Sequence, residues 1–270
     1  MNQTTDAADI VDLSRFPIAD LESAERAACV AQYRQDFLDA GLCVLPNFIK
    51  ADALRKLADE SNAVTDQAYF CESTHNVYLT DEDCSLPTDD VARRQEKTFV
   101  GSVAYDRIGE DSTLRRLYLW EPLRQFIGSV LGKSEFYRLA DPLGACSINV
   151  FVDGGQHGWH FDESEFSVTL LLQQPEIGGA FEYVSGVRGG DDEKRLLADI
   201  LNGDRSRVMQ LPFAPGTLLI FGGRQTVHRV TEVRGSVPRL VPVFCYSEIP
   251  NHVNSATVRR LFWGRANADS

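Results

Sequence analysis

Much is missing from this 270-residue sequence, and each absence narrows what the chain can be. No stretch approaches the roughly 18 apolar residues of a membrane span. The opening "MNQTTDAADIVDLSRF" has neither the basic start nor the apolar run of a secretion signal. The expectation is a cytoplasmic protein that does not engage a membrane. Cysteine is sparse: Cys29, Cys43, Cys71, Cys84, Cys146 and Cys245 stand apart with no C-x-x-C pair. That excludes a zinc ribbon or thioredoxin-type motif and points to free thiols, mostly buried, rather than a disulfide framework. Basic residues are outnumbered, 27 against 39 acidic ones. The resulting charge of −12 repels phosphate backbones, so no nucleic-acid partner is expected, while the same field favours a small cationic substrate. Repeats, low-complexity tracts and linkers are absent too, and 43% hydrophobic with 24% charged residues is the composition of a chain that folds around a core.

What is present divides into two textures. Met1 to Asp9 is polar and reads as a frayed start. Leu21 to Ala40 has apolar residues at helical spacing and ends at Gly41, the residue that best tolerates a left-handed cap. "GLCVLPNFI" reads as a short strand, and "KADALRKLADESNAVTDQAYF" as a second amphipathic helix. Cys71 to Thr98 mixes charges with turn formers and reads as a long irregular segment suited to binding loops. "DSTLRRLYLWEPLRQFIGSVLG" is helical, with a break near Pro122. From Phe136 onward come many short β-branched and aromatic runs separated by Gly, Pro or Asp, with "DDEKRLLADILNGD" as a helical insertion. Short strands with turn signals between them argue for a sandwich or barrel. The reading is one domain over 1–270: a mostly helical buttress with loops at 1–135, a β core at 136–250 and a C-terminal segment at 251–270.

Within the β texture, "GWHFDESEFSVTLLLQ" sets His160 and Asp162 two positions apart, so that on a strand both project from one face. Two imidazoles and one carboxylate gathered on one side of a ferrous ion leave three coordination positions open for a cosubstrate and dioxygen. Of the five histidines, His228 is the best third ligand, because "PGTLLIFGGRQTVHRV" returns a strand that can lie beside the one bearing His160. His75 reads as a loop residue and His252 as a surface one. An H-x-D triplet alone also describes ordinary strand residues. Arg239, in "VPRLVPVF", adds weight: a cation in an apolar run either forms a two-pronged pair with a carboxylate or reaches solvent from the strand start.

Four elements in this order, "INVFVDGG", "HFD", "PGTLLIFGGRQTVHRV" and "RLVPVFCYSEI", resemble the iron(II)- and 2-oxoglutarate-dependent oxygenases over Ala145 to Ile249. "HGWH", with His157 three residues before His160, and "RRLFWGR", with Trp263, are similar to the group of radical halogenases and hydroxylases that act on free amino acids. The resemblance implies a mainly β fold, a double-stranded β-helix (jelly roll, cupin-like) with the N-terminal helices packed against it. It also implies Fe(II), 2-oxoglutarate and O2 as cofactor and cosubstrates. Arg239 would hold the distal carboxylate of 2-oxoglutarate, with Thr169 and Asn149 assisting. His157, Glu163 and Trp263 become the candidate substrate contacts, and Arg93, Arg94 and Lys97 are alternatives for a substrate carboxylate.

In halogenases of the group the position of Asp162 carries a small residue, which leaves room for chloride. The carboxylate here therefore implies hydroxylation, most simply of a cationic amino acid such as lysine. A homodimer is compatible with this reading. The rivals are the same chemistry on another small natural product or a peptidyl residue, and a jelly-roll protein that binds metal without turnover.

Overall fold

The computed structural model describes residues 6–268. Helix α1 (Ala24–Ala40) starts three residues later than its apolar spacing suggests, because the Ser23 side chain accepts from the Arg26 N–H and caps it there. It ends as expected at Gly41, whose φ of 73° lets its N–H reach the Phe37 carbonyl. Strand β1 (Leu42–Leu45) and helix α2 (Ala51–Asn62) follow. The sequence pattern carries α2 on to Phe70, yet it stops at Asn62. There the Thr65 hydroxyl takes the Asn62 carbonyl that the next helical turn would need.

The segment expected to be irregular is so over 76–95, but its two ends are paired strands. Strands β2 (Tyr69–His75) and β3 (Glu96–Val103) pair along their length, from Tyr69 opposite Ser102 to His75 opposite Glu96. Helices α3 (Thr113–Leu119) and α4 (Glu121–Leu131) break at Trp120, with Pro122 in the first turn of α4. Next come β4 (Tyr137–Arg138), β5 (Cys146–Phe151), β6 (Gln156–His160), β7 (Ser167–Leu170), β8 (Ile177–Gly178) and β9 (Phe181–Val184). The expected insertion is α5 (Glu193–Leu201). The chain closes with β10 (Met209–Gln210), β11 (Leu218–Phe221), β12 (Val227–Val230), β13 (Val233–Arg234), β14 (Arg239–Phe244), β15 (Tyr246–Ser247) and α6 (Ala256–Trp263).

Eleven strands form one curled sheet in the order β1-β11-β7-β14-β5-β3-β6-β12-β9-β10, with β2 on β3. The N-terminal half is thus less purely helical than its composition suggests, since it supplies three of these strands. The architecture is the expected jelly roll with helices outside it.

Alternation sorts the residues of this sheet into two faces. On the inner face the register aligns Arg239 with Phe151, Val241 with Asn149 and Val243 with Thr169. Around these, Phe151, Phe181, Phe213, Phe221 and Val241 form an enclosed apolar cluster. On the outer face Ile148, Val150, Val168, Ile220 and Leu240 pack with Leu57 of α2, Leu117 and Tyr118 of α3, and Phe126 and Ile127 of α4. Burying each such side chain stabilises the fold by roughly 1.5–3 kcal/mol, which is why the helices stay on the sheet.

Of the start expected to fray, Met1 to Thr5 lies outside the described residues, whereas Ala7 is buried in the outer-face core. All six cysteines are free, and Cys29, Cys43 and Cys146 are buried. Among the described residues no helix is long and apolar enough to cross a membrane.

Candidate metal centre

His160 ends β6, and His228 lies directly opposite it on β12. Each ring is oriented by the carbonyl two residues before it. His160 Nδ1 lies 2.7 Å from the Gly158 carbonyl and His228 Nδ1 lies 2.9 Å from the Thr226 carbonyl. A carbonyl can only accept, so both Nδ1 atoms carry a proton and Nε2 is the atom that each ring turns to the centre. Those two Nε2 atoms face one atom, Asp162 Oδ1, at 3.4 Å and 3.5 Å.

Asp162 is not on the strand as the H-x-D reading placed it, because β6 ends two residues earlier. It is held from elsewhere: its N–H donates to the Gly223 carbonyl at 3.1 Å, and its Oδ2 accepts from the Ser167 hydroxyl at 2.5 Å. Among the described residues His160, Asp162 and His228 are the one group of three or more such side chains whose donor atoms converge.

The electrostatics suit a cation. Burial disfavours a charged imidazole and, with His228 nearby, holds His160 down at about 4, so the ring is neutral at pH 7. Burial works against the Asp162 carboxylate, but His228 and His160 outweigh it and keep its pKa well below the ordinary range. Two imidazole nitrogens and one ionised carboxylate oxygen form a donor set that fits Fe(II).

Other sequence candidates fall around this centre in different ways. His157 stacks on His160 with ring centroids 3.7 Å apart. Residues three apart on a regular strand face opposite ways, but the β6–β12 register slips between His228/His160 and Val230/His157. That bulge turns His157 to the metal side, and Gly158 sits within it, where a side chain would press on Glu96 and the Lys97 carbonyl.

Arg239 is buried, 3% exposed, between the Phe151 and Phe213 rings at 5.4 Å and 5.7 Å. Among the described residues it has no carboxylate or hydrogen-bond partner, and burial alone lowers its pKa to about 9. A chain of aromatic contacts links it to the triad: Phe213 lies 6.4 Å from Phe181, which lies 5.4 Å from His228. Thr169 and Asn149 are half-buried on the same inner face.

Glu163 is exposed in the loop after Asp162, where its carbonyl accepts from Arg224. Trp263 lies further off. Its indole N–H is given to Ser102 at 3.1 Å, and with Gln67, Tyr69, Arg107 and Arg265 it lines a cavity of about 220 Å³. The basic alternatives are engaged elsewhere: Arg93 on Glu82, Arg94 on Asn202 and the Leu201 carbonyl, and Lys97 on Glu72. His252 is exposed.

Sequence reasoning missed several residues that the hairpin and its loop bring in. His75 at the end of β2 meets His157 and His160 edge-on at 5.4 Å and 5.7 Å. The Thr98 hydroxyl donates to its Nε2 at 2.7 Å. Beyond it, buried Asn76 accepts from the Tyr78 and Thr80 N–H groups and holds Leu79 at a φ of 55°. The same turn reaches the ligand segment, since the Phe161 N–H donates to the Val77 carbonyl at 2.8 Å and Tyr78 stacks on Phe161. The Tyr78 hydroxyl in turn donates to Glu193 of α5 at 2.6 Å.

Comparison with known proteins agrees with this architecture. No curated protein sequence matches the chain. Among solved structures, the carbocyclase SnoK of nogalamycin biosynthesis superposes with a TM-score of 0.57 at 15% identity, covering 93% of this chain and 96% of that one. The epimerase SnoN of the same biosynthesis gives 0.56 at 14% identity, over 82% and 83%. An oxidoreductase of the 2OG-Fe(II) oxygenase family from Burkholderia pseudomallei gives 0.51 at 18%, over 82% and 91%. At these identities the likeness concerns the fold. The family profile Halogenase D, in contrast, matches residues 25–260, nearly the whole chain. On that match the chain belongs to the halogenase D family, and its fold is the one seen in a 2OG-Fe(II) oxygenase and in SnoN.

Proposed function

We propose that this enzyme hydroxylates an unactivated C–H bond of a free amino acid, a cationic one with lysine as first choice, releasing succinate and CO2. In this reading residues 1–270 act as one oxygenase domain in the cytoplasm. The observation that carries the outcome is the Asp162 carboxylate between the two Nε2 atoms. In a family named for halogenation, an anionic side chain stands where a halide would have to bind.

His160, Asp162 and His228 would hold the iron. Bound there with 2-oxoglutarate, the iron supplies the oxidising power for C–H cleavage, which no side chain of the protein possesses. The protein's own work is orientation and exclusion. The carbonyls of Gly158 and Thr226 keep both imidazoles in the tautomer that presents Nε2. Arg239 is a buried cation awaiting an anion, and a ketoacid's far carboxylate answers that need; Thr169 and Asn149 assist from the same face. Phe181, Phe213 and Phe221 keep water from the space between. His157 beside the triad and Glu163 just after it would take the polar ends of the substrate, and Trp263 would cover its far side once its bond to Ser102 yields. Family membership and the acidic surplus support the amino acid assignment.

The test is a panel assay. Protein reconstituted anaerobically with Fe(II) and 2-oxoglutarate is mixed with oxygen and one amino acid at a time, and succinate and substrate mass are followed. Lysine, arginine or ornithine should raise succinate and gain one oxygen atom. If none exceeds the substrate-free control, the cationic amino acid assignment fails. A chlorinated product in chloride buffer would overturn hydroxylation.

A further inference from the structure

The two histidines of the triad are aimed by carbonyls two residues before them in the chain, but Asp162 stands beyond the end of β6 and has no such device. Its restraints come from the other side of the barrel. Ser167 opens β7 and lies opposite Phe221, the last residue of β11, and Gly222 and Gly223 follow directly. Asp162 fits into this corner. Its N–H is bound to the Gly223 carbonyl, its Oδ2 receives the Ser167 hydroxyl at 2.5 Å, and a β-carbon on Gly223 would overlap its carboxylate. The oxygen left over, Oδ1, is the one that both imidazoles face.

We infer that Ser167 and Gly223 are positioning residues that fix Asp162 as a one-oxygen metal ligand. Ser167 occupies the second oxygen, so the carboxylate cannot close on the metal with both oxygens and cover a position that 2-oxoglutarate or dioxygen needs. Gly223 provides the space that lets the carboxylate lie flat against the turn. Together they also hold Asp162 against displacement by a competing anion. Neither residue belongs to the H-x-D pattern, and the role joins the half of the sheet carrying β7 and β11 to the half carrying both histidines. The inference rests on the reading of the triad as the iron site.

The test uses the full-length protein and metal binding rather than turnover. Co(II) is titrated anaerobically by calorimetry, and the visible ligand-field spectrum of the loaded protein is recorded. Ser167→Ala should weaken Co(II) binding about tenfold or more, the usual range for a lost outer-shell partner, and shift the spectrum. Ser167→Thr, which restores the hydroxyl, should return both to the parent's values. Gly223→Ala should weaken binding from the opposite side of the carboxylate and serves if Ser167→Ala does not fold. Parental affinity and spectrum in whichever of Ser167→Ala and Gly223→Ala folds would overturn the positioning role. Asp162→Ala separates the two levels: if it too binds Co(II) as tightly as the parent, the triad itself is misread, whereas a loss there with none in Ser167→Ala refutes the positioning role alone.

Discussion

Replacing Arg239 by Met should move stability and cosubstrate affinity in opposite directions. The guanidinium is 3% exposed and has no anionic or hydrogen-bonding partner among the described residues. Burial of an ion without compensation costs several kcal/mol, and hydrophobic replacement of buried charges is often neutral or stabilising by about 1–4 kcal/mol. Met fills a similar volume between Phe151 and Phe213, so the ligand-free variant should be at least as stable as the parent. Each kcal/mol gained is worth about 2–4 °C in Tm for a chain of this size.

Ketoacid binding should suffer instead. Losing one partner of a buried charge pair costs about 2–5 kcal/mol, or roughly 30-fold to several thousand-fold in Kd. Anaerobic titration of the Fe(II) protein with 2-oxoglutarate, read by the visible band of the iron–ketoacid chelate, measures this, and thermal denaturation of the metal-free protein measures the first effect. A variant that is several kcal/mol less stable, or that binds 2-oxoglutarate as the parent does, would refute the view of Arg239 as an unpaired cation kept for a carboxylate.

Further outcomes follow from other residues. Asp162→Gly should abolish hydroxylation and, with chloride present, can be assayed by mass spectrometry for a halogenated product; unchanged hydroxylation would mean that Asp162 is no ligand. His160 is neutral in the folded metal-free protein until about pH 4, whereas an unfolded chain takes up that proton near 6.5. The unfolded state therefore binds more protons across this window, and the unfolding midpoint of the metal-free protein should fall as pH drops from about 6.5 to about 4. Asn76→Ala removes the acceptor of the Tyr78 and Thr80 N–H groups and should cost about 0.5–1.5 kcal/mol for each bond in urea denaturation. Leu79→Gly should recover part of the roughly 1–2 kcal/mol that a left-handed L-residue costs, seen as a smaller loss when combined with Asn76→Ala than on its own terms.

The triad was legible because its chemistry is concentrated in two short strings: H-x-D with apolar residues after it, and a histidine at the far end of an apolar strand and a Gly-Gly turn. The jelly roll was legible from strand-length apolar runs after Phe136. The β2–β3 hairpin was not, because β2 is an edge strand whose residues are exposed or only half-buried, so it lacks the alternation of apolar with polar by which strands are recognised. The stacking of His157 on His160 depends on a bulge, and no residue pattern announces a one-residue slip. Arg93 and Arg94 looked available because their partners are distant in sequence, Glu82 by 11 residues and Asn202 by 108. Ser167 gave no signal at all; a serine at the head of a strand acquires meaning only once Asp162 is seen beside it.

The contact between Tyr78 and Glu193 has a mechanical consequence. Helix α5 looks like a peripheral decoration, yet through that hydroxyl it grips an aromatic pair whose inner member, Phe161, is the residue joining His160 to Asp162. A cut in the exposed approach to α5, or its exchange for a relative's version, would slacken the backbone between His160 and Asp162. On the proposed iron site, grafting this region to alter substrate choice would disturb metal binding first, and metal content should be weighed before any change in selectivity is credited to the graft.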